Sequence, residues 1–135
     1  MKVESFRADR KLVFALEKES DPVACGEGRA LFKQGEMPKG VFILQKGEAA
    51  LVMSSPAGRI VMCLQAGSGS LLGLPGVIAK EPYTLTAMVK AGSEVRFISR
   101  ERFEQVVQAE PELYCSVLTL LAAEVRTARL AIAEK

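Results

Sequence analysis

"RALFKQGEMPKGVFILQKGEAALVM", residues 29–53, decides the fold. Its apolar runs "ALF", "VFIL" and "AALVM" are rich in the residues that suit a pleated, half-buried surface, and glycine-bearing segments cut them apart. None of the runs is long enough for a helix of several turns. The same rhythm continues downstream through "RIVMCLQ", "YTLTAMV" and "EVRFIS", with "SSPAGR" and "AGSGS" as separators. Short strands at regular intervals with turn chemistry between them predict a small barrel or jelly roll over residues 30–99.

The period changes on both sides of that segment. From Ser5 to Glu19, the residues Phe6, Leu12, Val13 and Leu16 keep helical spacing, and "SDP" supplies a stop. After Ser99 the glycines cease and two helical patterns follow, with Ser99 placed as an N-cap and Pro111 in the first turn of the second helix. The expected fold is α+β, mainly β: a jelly-roll β-barrel (β-roll) flanked by an N-terminal helix within residues 1–29 and two C-terminal helices within residues 100–135. The whole chain reads as a single domain.

The last helix carries a stripe. Tyr114, Leu118, Leu121, Val125, Ala128 and Ile132 recur at spacings of four and three, the pattern of an a/d seam. Leu113, Val117 and Leu120 widen the apolar face in the first half only, so that half is expected to pack on the barrel while the second half projects. A helix from Pro111 to the end would be about 37 Å long, more than so small a domain covers. The seam therefore predicts a homodimer built about a two-fold axis.

Composition excludes much. At 135 residues, with 49% hydrophobic and 25% charged residues, the chain is of a size to bury one core. The net charge of +2 and the interleaving of acids and bases offer no stripe to neutralise nucleic-acid phosphates, and no run approaches the length of a membrane span. Without a secretory leader, the expected location is cytoplasmic. Cys25, Cys63 and Cys115 are odd in number and lack C-x-x-C spacing, so they are expected as buried free thiols, with no disulfide framework and no metal site. The chain has no histidine, which removes Ser-His-Asp and Cys-His chemistry, and Glu110 and Glu112 beside Pro111 read as helix-start residues. No catalytic residues are expected.

The order of elements resembles the cyclic-nucleotide-binding domain of the catabolite activator protein and fumarate-nitrate regulator family. Residues 29–53 resemble its first strands, with Gly35 and Glu36 at a turn and Gly47 at the next. "EVRFISRERFEQVVQAEPELYCSVLTLLAAEV", residues 94–125, resembles the exit from the barrel into two closing helices. The resemblance implies a phosphate-binding cassette in "GSLLGLPGVIAKEPYTLTAMV", residues 69–89. In nucleotide-binding members a Gly-Glu pair holds the ribose hydroxyl, and an Arg followed by Ser or Thr and Ala holds the cyclic phosphate. Here those positions read Gly73-Leu74 and Leu85-Thr86-Ala87.

Both charged anchors are leucine. A phosphate buried without its cation loses roughly 3–5 kcal/mol, and since each 1.4 kcal/mol is a factor of ten, affinity falls by about a thousandfold or more. The pocket residues implied by the resemblance are Leu72, Gly73, Leu74, Gly76, Thr84, Leu85, Thr86 and Ala87. Gly73 and Gly76 are expected to bracket Pro75 in a tight turn, with Leu74 and Leu85 filling the pocket from within; were it open, Leu72, Leu74, Leu85 and Met88 would line it for an apolar or mixed ligand.

Two functions compete. The first is a non-catalytic regulatory module with no cofactor, unable to bind cyclic AMP in the usual way, working by dimerisation, by a protein partner or by an altered ligand. The alternative is a true sensor that holds cyclic AMP or cyclic GMP through backbone N–H groups and threonines, aided by Lys80 or Lys90. The winged helix-turn-helix of the family's transcription factors is not found in residues 1–135, so direct DNA binding is not expected.

Overall fold

The run "VFIL" is apolar at every position because its strand is covered on both faces. Val41 and Ile43 enter one buried cluster and Phe42 and Leu44 face another, the alternation of a strand between two layers. The computed structural model describes residues 2–4 and 6–133. In chain order the first half comprises β1 (Lys2–Val3), α1 (Arg10–Glu17), β2 (Asp21–Val23), β3 (Arg29–Phe32), β4 (Gly40–Lys46) and β5 (Ala49–Ser54). The second half comprises β6 (Ile60–Ala66), β7 (Ser70–Leu72), α2 (Leu74–Ala79), β8 (Thr86–Val89), β9 (Glu94–Ser99), α3 (Arg100–Ala109) and α4 (Pro111–Ala133).

Two sheets face each other. One runs β1-β6-β5-β8-β3 and the other β2-β9-β4-β7, antiparallel throughout except where β1 lies parallel to β6. The fold is the expected α+β, mainly β, jelly roll with flanking helices. The first cluster lies inside the roll and includes Phe32, Leu51, Met62 and Leu64. The second lies between the outer face of the four-stranded sheet and the helices, around Leu12, Leu16, Ile43 and Phe103. Each of these four side chains is fully buried and contributes about 1.5–3 kcal/mol by leaving water.

The helices close the roll from outside. Ser99 caps α3 as expected, its Oγ accepting from Arg102 N at 3.3 Å. Asp9 caps α1 by accepting from Lys11 N at 3.3 Å, and its other carboxylate oxygen accepts from Ser116 Oγ at 3.1 Å. Lys11 also pairs with Glu112, so α1 is fastened to the start of α4.

Local expectations need correction in five places. The first helix is shorter than Ser5–Glu19, because Phe6 is drawn into the roll interior and Arg7 bridges to Ser70 before Asp9 starts the helix. The "SDP" stop is partly strand, since Asp21 and Pro22 pair with Phe97 and Arg96 at the sheet edge. Ser70–Leu72, read as loop, is a strand against β4, while Tyr83 to Leu85, read as strand, precedes β8. The second half of α4 does not project: Ala131 is buried in the roll cluster and Ala128 packs against it.

Candidate functional site

Between the sheets, the roll is hollow. A cavity of about 190 Å³ is walled by Phe6, Phe32, Leu51, Met62 and Leu64 from the interior, and by Glu124, Val125 and Ala128 from α4. Pro75, Thr84 and Val125 are solvent-exposed as well as lining it, so the mouth lies between α4 and the segment that follows β7.

That segment is set by Tyr83. Its ring stacks on Phe32 with centroids 3.9 Å apart, its hydroxyl donates to Gly40 O at 3.1 Å, and its backbone N donates to Glu36 O at 2.9 Å. Gly73 caps α2 at φ 90°, and a Cβ there would lie 2.9 Å from Tyr83 Cε1. Gly76 is glycine for a different reason. It sits inside α2, where a Cβ would lie 2.9 Å from Pro38 Cγ and 3.1 Å from Glu81 O. A short helix thus replaces the expected tight turn.

Of the residues implied for the pocket, Leu72, Gly73, Gly76, Thr84 and Leu85 line the cavity. Leu74 does not: it is fully buried in the helix-facing cluster with Leu12 and Phe103. Ala87 is buried in the roll cluster outside the lining, and the Thr86 hydroxyl accepts from Gln34 N at 2.9 Å. Met88 is exposed. The two leucines therefore do not fill the pocket together: Leu85 borders it and Leu74 points into another layer. Lys90 pairs with Glu48 at 2.5 Å, and neither Lys90 nor Lys80 is among the lining residues.

The electrostatics of the cavity are carried by one residue. Glu124 is only 6% exposed, and neither carboxylate oxygen has a hydrogen-bond partner among the described residues. Burial pushes its carboxyl up to about 8, so at neutral pH it holds its proton. Tyr83 is the other titratable lining residue; burial raises its phenol, which stays neutral. Among the described residues, no lysine or arginine lines the cavity. The sequence offered a signal for Glu124: Leu113, Val117 and Leu120 are buried at helical spacing, and the next position of that stripe is 124.

The outward seam is only partly free. Tyr114, Leu118, Val125 and Ile132 are exposed, whereas Leu121 and Ala128 are half-buried against their own protomer. Cys25 is buried as expected, but Cys63 and Cys115 are exposed. Among the described residues no cluster of His, Cys, Asp and Glu could hold a metal ion, and no helix is long and apolar enough to cross a membrane.

Residues 22–110 match the family model described as "Cyclic nucleotide-binding domain". A neuropathy target esterase of Drosophila persimilis is 25% identical over 95 residues, which are 70% of this chain and 7% of the esterase. The similarity thus concerns a small portion of that protein. Among solved structures, the catabolite activator protein of Thermus thermophilus superposes with a TM-score of 0.75 at 20% identity, covering 90% of this chain and 57% of that one. The sensor domain of the regulator DNR from Pseudomonas aeruginosa superposes with a TM-score of 0.68 at 19% identity, covering 89% of this chain and 81% of that one. At such identities the superpositions speak for the fold, and the match over residues 22–110 speaks for descent. By its sequence and its two-sheet roll, this chain belongs to the cyclic nucleotide-binding domain family.

Proposed function

We propose that this domain is a non-catalytic, cytoplasmic regulatory module that does not hold cyclic AMP or cyclic GMP in the usual way and that acts as a dimer through α4. One observation carries the reading: among the described residues that line the roll cavity, Glu124 is the one carboxylic acid and none is a lysine or arginine. A cyclic phosphate entering there would lose its hydration without gaining a positive partner, at a cost of roughly 3–5 kcal/mol. An ionised Glu124 would add repulsion. Leu74 and Leu85, at the positions of the family's anchors, offer no remedy.

Dimerisation is supported by the exposed row of Tyr114, Leu118, Val125 and Ile132 along one face of α4. A non-catalytic role is supported by the absence of histidine and by the lack of any nucleophile-base pair around Glu124 among the residues that line the cavity.

The family match favours a second reading, in which a cyclic nucleotide is held by the exposed Thr84 and backbone N–H groups at the mouth. Calorimetric titration with cyclic AMP and cyclic GMP separates the two. Absence of saturable heat up to millimolar nucleotide is the expected result, and micromolar capture of either would establish the second reading instead.

A further inference from the structure

We infer that the roll cavity is a binding site for a small organic cation, a ring-sized apolar body bearing one protonated amine, with Glu124 as the group that receives the ammonium. The inference rests on the preceding reading that the cavity does not serve cyclic nucleotides.

Size comes first. A dry cavity of about 150 Å³ lined by aliphatic and aromatic side chains takes up benzene. The 190 Å³ cavity in the roll has walls of that kind in Phe6, Phe32, Leu51 and Leu64. It admits one ring with a short tail.

Charge comes second. Glu124 presents two carboxylate oxygens, more than nine-tenths buried and both unpartnered among the described residues. An orphaned buried acceptor pair is costly to fold around, and an ammonium with three donors satisfies both oxygens at once. Phe6 and Phe32, with their aromatic rings, and Met53 and Met62, with their thioethers, line the same space and favour a cation over an anion. An exit is present as well, since Val125 and Thr84 border the cavity and are exposed.

Proton bookkeeping gives the site a signature. The neutral carboxyl of Glu124 and the incoming ammonium form a carboxylate-ammonium pair, and one proton leaves to solvent. The lining comes from the N-terminal segment, β3, β5, β6, β7, α2, the segment before β8 and α4, and among its described residues Tyr83 is the only titratable group beside Glu124. Its hydroxyl is already engaged with Gly40 O. Affinity therefore rises by about tenfold per pH unit toward the pKa of Glu124 and levels off above it, because an alkylammonium stays protonated across that range.

The test uses the full chain and phenethylamine as the probe, titrated by calorimetry from pH 6 to pH 9. Expected are saturable binding that strengthens as described, at least tenfold weaker binding of phenethyl alcohol and 3-phenylpropionate, and at least a tenfold loss in Glu124→Gln. Equal affinity for the amine and the alcohol, a flat pH series, an unchanged Glu124→Gln or no saturable binding at all would overturn the inference. Should Glu124→Gln fail to fold, the pH series and the uncharged analogue decide on the parent chain alone. Cyclic AMP run in parallel keeps the two readings apart: its micromolar capture removes the foundation, whereas silence toward both ligands removes only the cation site.

Discussion

Tyr83 and Phe32 stack at 3.9 Å between ring centroids, and this pair joins the strand β3 to the segment that borders the cavity mouth. The pair is held at its far end by the hydrogen bond from the Tyr83 hydroxyl to Gly40 O. Tyr83→Phe keeps the stack and orphans one carbonyl, so denaturant unfolding is expected to show a loss of about 1 kcal/mol. Tyr83→Ala removes the ring as well and is expected to cost about 3–5 kcal/mol. Equal losses in the two variants would mean that the ring stack contributes nothing.

Glu124 makes stability depend on pH in an uncommon direction. Its folded pKa stands at about 8, raised by burial from an ordinary carboxylate value of 4.5. Between those values the unfolded chain has released a proton that the folded chain retains, so the folded state is progressively disfavoured as pH rises from about 4.5 to about 8 and the penalty then stays constant. At roughly 1.4 kcal/mol per pKa unit the full effect is a few kcal/mol. Glu124→Gln is expected to remove most of this slope and to raise the melting temperature at pH 8, as thermal unfolding across pH 5–9 would reveal. A parent chain whose stability is level over that range would contradict the burial argument.

Leu74 and Leu85, which the resemblance sets at the two anchor positions of the cassette, belong to different layers. Leu74 is fully buried under the helices, and Leu74→Ala is expected to cost about 2–5 kcal/mol. Leu85 is half-buried at the cavity edge, and Leu85→Ala should cost less than half as much. Leu74→Glu should abolish cooperative folding, because its charge would lie unpaired in that layer, while Leu85→Arg should fold. Chemical denaturation of the four variants checks the ranking.

Leu118 is 64% exposed in the middle of the outward row on α4. Leu118→Glu is expected to reduce the sedimenting mass from dimer to monomer without lowering the helical circular dichroism. An unchanged mass would remove the case for pairing through this face.

Much of the architecture was legible because two periods announce it. The two-residue alternation of β6 and the helical spacing of Phe103 with Val107 are local signals that tertiary packing reinforces. The edge strands were not legible: β1 and β2 are two and three residues long, with no room for a period, and exist because a neighbour offers them a ladder. The structure brings some of the candidate pocket residues together and separates others. Leu85 and Gly73 were placed at the cavity by their position in the cassette, but Leu74 was sent inward to the wrong layer, since one residue of helix α2 turns its side chain away from the roll. Glu124 was missed because a charge in a long helix is ordinarily solvated, and only the burial of Leu113, Val117 and Leu120 at its spacing marks it as an inward residue.

Val125 borders the hollow of the roll and stands in the exposed row of α4 at once. Two surfaces thus share one partition, and it is a stiff rod rather than a pliable loop. Crowding from within has no soft element on that side to absorb it, so the rod must shift as a body and carry its outer face along.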